Sequence, residues 1–155
     1  MENTIKNFKK EGNRYILKRQ YGFGILIVAG LTVLAWFGYT SNNAAMMWIF
    51  GIFAALCFLS IYTERMVIDL DEKALFIKRG LKAETCIPFS DIAHYQMSRL
   101  IYIFIPVHTS LNVRYFSAGE EKFAIVAQGL SKRAMQDILN DIEEITQPYV
   151  RNQQV

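Results

Sequence analysis

From Tyr21 to Tyr62 the chain holds two uncharged apolar runs, Tyr21 to Tyr39 and Ala44 to Tyr62, joined by the polar stretch Thr40-Ser41-Asn42-Asn43. At about 1.5 Å per helical residue each run reaches about 28 Å, close to the hydrocarbon thickness of a bilayer. Phe23, Ile25, Leu26, Ile27, Val28, Leu31, Val33, Leu34 and Phe37 in the first run favour insertion, as do Ile49, Phe50, Ile52, Phe53, Leu56, Phe58, Leu59 and Ile61 in the second. Trp36, Tyr39 and Trp48 cluster toward one end of this pair, and Tyr21 and Tyr62 mark the other, as an aromatic belt requires. The pattern predicts a transmembrane helical hairpin over 21–62, with spans 21–39 and 44–62. Gly51, Ala54 and Ala55 supply small residues where the two helices can pack closely. The first run is long for a signal-peptide core and is followed at once by a second, which favours a retained span.

Beyond Glu64 the long runs give way to short alternating ones. Met66 to Leu70, Ala74 to Arg79, Glu84 to Ile87, Ile92 to Met97, Leu111 to Phe116 and Lys122 to Ala127 read as strands, with turns at Asp71-Glu72-Lys73 and Ser117 to Glu121. Their short connections predict mostly antiparallel pairing of six to seven strands. A helix follows. Ser131 is a fitting N-cap, Met135, Ile138, Leu139, Ile142 and Ile145 form one apolar stripe, and Pro148 is expected to end it, leaving 148–155 as a flexible tail.

Charge then orients the chain. The formal net charge of the 155 residues is +3. Lys6, Lys9, Lys10, Arg14, Lys18 and Arg19 crowd residues 1–20 against only Glu2 and Glu11, so the first 20 residues read as a basic cytoplasmic flank, with a short amphipathic helix as the structured version. Basic residues flank both outer ends of the apolar pair and are missing from the connecting loop, which predicts two passes with both termini cytoplasmic. The basic residues do not cluster as a nucleic-acid face would need, so nucleic acid is not an expected partner. The thiols, Cys57 within an apolar run and Cys86 beyond it, are not placed to form a disulfide.

Candidate chemistry is sparse. Asp91, His94 and Tyr95 lack a nucleophile, His108 has no ligand-type neighbours in sequence, and no Gly-rich phosphate loop occurs, so neither an enzyme nor a cofactor or metal site is expected. Lys73, Lys78, Arg79 and Lys82 form the densest basic group of the strand region and are the candidate lipid-headgroup contacts. Leu100 to Val107 is the longest apolar run outside the helices. It is either a buried strand or a projecting patch in which Ile101, Tyr102, Ile103, Phe104 and Ile105 contact membrane lipid or a protein partner.

An antiparallel sheet closed by one C-terminal amphipathic helix is the layout of a pleckstrin-homology (PH)-like barrel. The run Arg79-Gly80-Leu81, then Thr85, then Ile87-Pro88-Phe89-Ser90-Asp91-Ile92, then Gln96 and Leu100, resembles the bacterial membrane-anchored PH-like domain family of the YdbS and YdbT kind. In that family a Gly-Leu … Ile-Pro-Leu-x-x-Ile signature follows a transmembrane hairpin. This chain departs from it in the apolar length of Leu100 to Val107. The resemblance implies an α+β PH-like cytoplasmic domain over 63–147 tethered to the inner membrane, with no catalytic residues to carry over. The expected function is a non-enzymatic membrane-anchored interaction module, partnered by lipid and by a protein or a second copy of the chain. The alternative is an accessory subunit of a larger transport or secretion complex.

Overall fold

The computed structural model describes residues 5–19, 22–103 and 105–150. Among these the fold is α+β, with two antiparallel sheets and three helices. The first sheet has the order β1 (Phe8–Glu11), β2 (Arg14–Leu17), β3 (Arg65–Asp69), β4 (Ala74–Lys78) and β5 (Thr85–Pro88). The second has β6 (Ile92–Tyr102), β7 (Ile105–Ser117) and β8 (Glu120–Gly129). The sheets do not close into the expected barrel. Pro88 and the single 3-10 turn Phe89–Asp91 interrupt the ladder between β5 and β6, leaving two open sheets.

The basic N-terminal segment is neither a loose flank nor a helix. Phe8 pairs with Leu17 and Glu11 with Arg14, across a turn in which Gly12 takes the left-handed φ of +64°. Tyr15 then pairs with Ile68, so strands that precede the apolar helices belong to the same sheet as those that follow them. Phe8 is buried in the core. Asp141 of the last helix accepts hydrogen bonds from the Asn7 backbone amide at 3.0 Å and the Asn7 side-chain amide at 2.8 Å. Across the next strand, the Arg14 guanidinium donates to the buried Asp69 carboxylate at 2.6 Å.

Met66, Ile68, Leu75, Ile77 and Ile87 from the first sheet meet Leu111, Val113 and Val126 from the second. Helix α3 (Lys132–Val150) inserts Met135, Ile138, Ile142 and Ile145 into this core, the stripe that the sequence predicts. Ser131 receives the Ala134 amide on its hydroxyl as an N-cap does. Pro148 does not end α3: it lies in the last turn, where only one helical hydrogen bond is lost, and Tyr149 beyond it packs toward Phe89 with ring centroids 6.4 Å apart. The helical residues 148–150 are therefore no tail, and 151–155 lie outside the described residues.

Two apolar helices interrupt the first sheet between β2 and β3, α1 (Gly22–Thr40) and α2 (Ala44–Thr63). Asn43 caps α2 by accepting the Met46 amide. The helices run past one another in opposite directions, Gly24 facing Ile61 at one end and Gly38 facing Met46 and Met47 at the other. A Cβ at Gly38 would fall 2.6 Å from the Met47 backbone nitrogen. Among the described residues, α2 is the one helix long and apolar enough to cross a membrane, and only 6% of its most apolar window is buried.

Candidate functional site

The sheet meets the helices at one end only. There the Thr63 hydroxyl donates to the Gly80 carbonyl at 2.9 Å, and Gly80, at φ +57°, leaves no room for a Cβ beside the Ser60 side chain. The same end of the sheet carries Arg65, paired in register with Lys78, while the β3–β4 turn lies at the other end of those strands. The four predicted headgroup contacts therefore divide. Lys78, Arg79 and Lys82 lie at or next to the helix-facing end, whereas Lys73, at the turn with φ +51°, is a strand length away, roughly 16 Å.

Structure adds partners that strand spacing could not reveal. A cavity of about 100 Å³ at this junction is lined by Lys78 and Arg79 together with Arg65 and with Lys18 and Arg19 from the N-terminal segment. Gly24 and Ile61 are what the helices add to an apolar lining that also includes Leu17, Met66, Ile77, Val126 and Ala127, and Glu64 is its single carboxylate. Glu64 reaches one Arg79 nitrogen at 3.5 Å, Arg65 pairs with Glu84 at 3.1 Å, and the Arg19 guanidinium stacks 4.5 Å above the Tyr62 ring. The second terminal nitrogen of Arg79, Nη1, is buried without a hydrogen-bond partner.

Leu100 to Val107 resolves into the tip of a two-stranded arm. Gly129, the last residue of β8, pairs with Thr109, which pairs with Arg99, so β6 and β7 continue past the sheet with only each other. Tyr102 pairs with Ile105, and the arm extends roughly 13 Å beyond the last three-stranded rung. Leu100 is 61% exposed, Ile101 57% and Ile103 72%, so these side chains are not a buried strand. Phe104 lies outside the described residues, and Tyr102 and Ile105 are described by backbone alone. The arm leaves from the helix-facing end of the second sheet, because Val126 to Gln128, near the end of β8, line the junction cavity with Gly24 and Ile61.

Of the small residues predicted for helix packing, Ala54 is buried. A Cβ at Gly51 would meet nothing within 4 Å, and Gly51 and Ala55 line an open apolar cleft with Trp36 and Trp48. Close approach of the helices falls instead on Gly24 and Gly38.

Near α3, His94 and Tyr95 share a groove with Glu143 and Glu144, while Asp91 accepts from Ser90 at 3.1 Å. The Tyr95 hydroxyl is buried without a partner, and burial, then the Glu143 charge, raises its pKa above the usual phenol range. Among the described residues no three His, Cys, Asp or Glu side chains gather as a metal set. Comparison with family models, curated proteins and solved structures gives no match.

Proposed function

We propose that this protein is a membrane-anchored, non-enzymatic interaction module. In this reading α1 and α2 cross the inner membrane as a hairpin with both termini cytoplasmic, and a PH-like domain, opened into two sheets, rests against the cytoplasmic face. The observation that carries it is the apolar surface of Ala44–Thr63, of whose most apolar window only 6% is buried even with α1 packed beside it. Water would charge about 25 cal/mol for each Å² of such surface, and lipid removes that cost. The exposed Leu100, Ile101 and Ile103 at the helix-facing end of the sheet support contact of the arm with the bilayer interface or a partner at that depth.

The test is extraction and depth together. The full-length protein stays with membranes through alkaline carbonate and leaves with detergent. A bimane probe on Ile103→Cys, in a background lacking Cys57 and Cys86, shifts to the blue when the protein enters phosphatidylcholine nanodiscs. Release by carbonate, or an unshifted probe, refutes the anchor or the arm contact respectively. The open apolar cleft at Gly51 and Ala55, flanked by Trp36 and Trp48, favours a second reading as an accessory subunit that receives a helix of a larger membrane complex. A stoichiometric partner that survives gentle detergent purification would select it.

A further inference from the structure

We infer that the cavity between the helix bases and the first sheet is a binding site for one phosphate group of an anionic lipid. The inference rests on the membrane-anchored reading for its choice of lipid, but the site is built by this chain alone. Lys18, Arg19, Arg65, Lys78 and Arg79 come from three separate stretches of sequence to line one cavity of about 100 Å³, with Glu64 as the only carboxylate among them. Gathering cations in a partly enclosed space is unfavourable unless an anion joins them.

Four of the five already have partners within the chain. Arg65 is held by Glu84, outside the lining, and Arg19 lies against Tyr62. Lys18 donates to the Lys6 carbonyl at 2.7 Å, which leaves two more ammonium protons. Arg79 is the decisive residue. Its Nη2 has only the long 3.5 Å contact to Glu64, and its Nη1 is buried with no acceptor. A buried guanidinium N–H without a partner costs more than a neutral one, and a phosphate in the cavity would supply the missing acceptor once the Arg79 side chain, which lines the cavity, turned its fork toward it.

The lipid source follows from the part of the lining that the helices supply. Gly24 and Ile61 belong to the apolar helices, whose side chains beyond them, Ile25, Leu26, Phe58 and Leu59, are exposed. A ligand with its phosphate among the cations would therefore have apolar surface beside it for acyl chains, the arrangement found at headgroup depth.

The test uses the full-length protein in neutral detergent micelles, read by native mass spectrometry with added dioleoyl phosphatidate or dioleoyl phosphatidylcholine, and by thermal melting with inorganic phosphate. One phosphatidate should remain bound where phosphatidylcholine is lost. Arg79→Gln should weaken its retention about tenfold, and Lys78→Gln should weaken it too. Lys73→Gln, at the far end of the strands, should retain it as the unaltered chain does. A melting shift with phosphatidate but none with inorganic phosphate assigns a lipid headgroup, while equal shifts assign a free phosphate as a sufficient ligand. Equal retention by Arg79→Gln and the unaltered chain, with unchanged melting of the variant, overturns the site. Binding in micelles is read whether or not the helices cross a bilayer, so failure here and failure of the anchor are separate results.

Discussion

Replacing Gly38 with alanine should loosen the pairing of α1 and α2, and the same change at Gly51 should not. The added methyl at Gly38 would lie 2.6 Å from the Met47 nitrogen and 3.1 Å from the Met46 carbonyl carbon and Met47 Cα. These are backbone atoms at the start of α2, so no side-chain rotation relieves the contact, and the helices must part by about 1 Å to restore an ordinary separation. Overpacking of this kind costs about 1–3 kcal/mol, and rigid backbone on the receiving side sets it near the upper end. Alanine regains about 1 kcal/mol of helix propensity, leaving Gly38→Ala about 2 kcal/mol less stable. Gly51→Ala keeps the propensity gain with nothing to clash against, so the two variants should differ by about 3 kcal/mol. For a chain of this size that is a gap on the order of 6–12 °C in Tm. The assay is thermal unfolding in detergent micelles followed by the fluorescence of Trp36 and Trp48. If Gly51→Ala melts as low as Gly38→Ala, or Gly38→Ala melts at the unaltered temperature, the assignment of the close approach to Gly38 is refuted.

Other consequences follow from the domain. Phe8→Ala should cost about 3–5 kcal/mol by denaturant unfolding, as a core residue does, whereas a basic flank would lose almost nothing. At Asp69 burial raises the carboxyl pKa, but the Glu72 amide, the Arg14 guanidinium and the Asp71 amide outweigh it and hold the group below the usual carboxylate range. Its contribution is thus complete above the unfolded value near pH 4 and is lost as pH falls through the lower folded value. Asp69→Ala should destabilise by about 2–3 kcal/mol at pH 7 and show a flatter decline in Tm between about pH 4 and 2 than the unaltered protein. Tyr95→Phe removes a buried hydroxyl without a partner and should raise stability by about 1 kcal/mol. Because the folded phenol keeps its proton where the unfolded one ionises near pH 10, the unaltered protein should lose stability above that pH, and the variant should lose less, as melting at pH 8 and 10.5 will report.

What could be read from the sequence is what has long or regular periodicity. The apolar runs become α1 and α2 within a residue or two, and the stripe from Met135 to Ile145 becomes the buried face of α3. The N-terminal strands escaped because each is four residues long, too short for alternation to stand out from the basic charges between Phe8 and Leu17. Their partner β3 also lies beyond two helices in sequence, and local pattern carries no trace of that pairing. The arm was ambiguous for a related reason. The sequence between Tyr102 and Ile105 carries no turn signal, and Ile103 takes a left-handed φ of +46° that β-branched residues rarely adopt. Pro106 is tolerated within β7 because β8 is no longer its neighbour there. The cavity was half legible. Lys78 and Arg79 were visible as a cluster, but Lys18, Arg19 and Arg65 join them only once the N-terminal hairpin takes its place in the sheet.

The most direct measurement of the central claim is sidedness. A lone cysteine is introduced as Ser41→Cys in the exposed connection between α1 and α2, or as Glu120→Cys at the start of β8, in a background with Cys57 and Cys86 replaced. An impermeant maleimide is then applied to intact cells and to inverted membrane vesicles. The account predicts that Ser41→Cys labels in cells and Glu120→Cys labels only in vesicles. Labelling of both positions from the same side would contradict a two-pass anchor that holds the sheets at the cytoplasmic face.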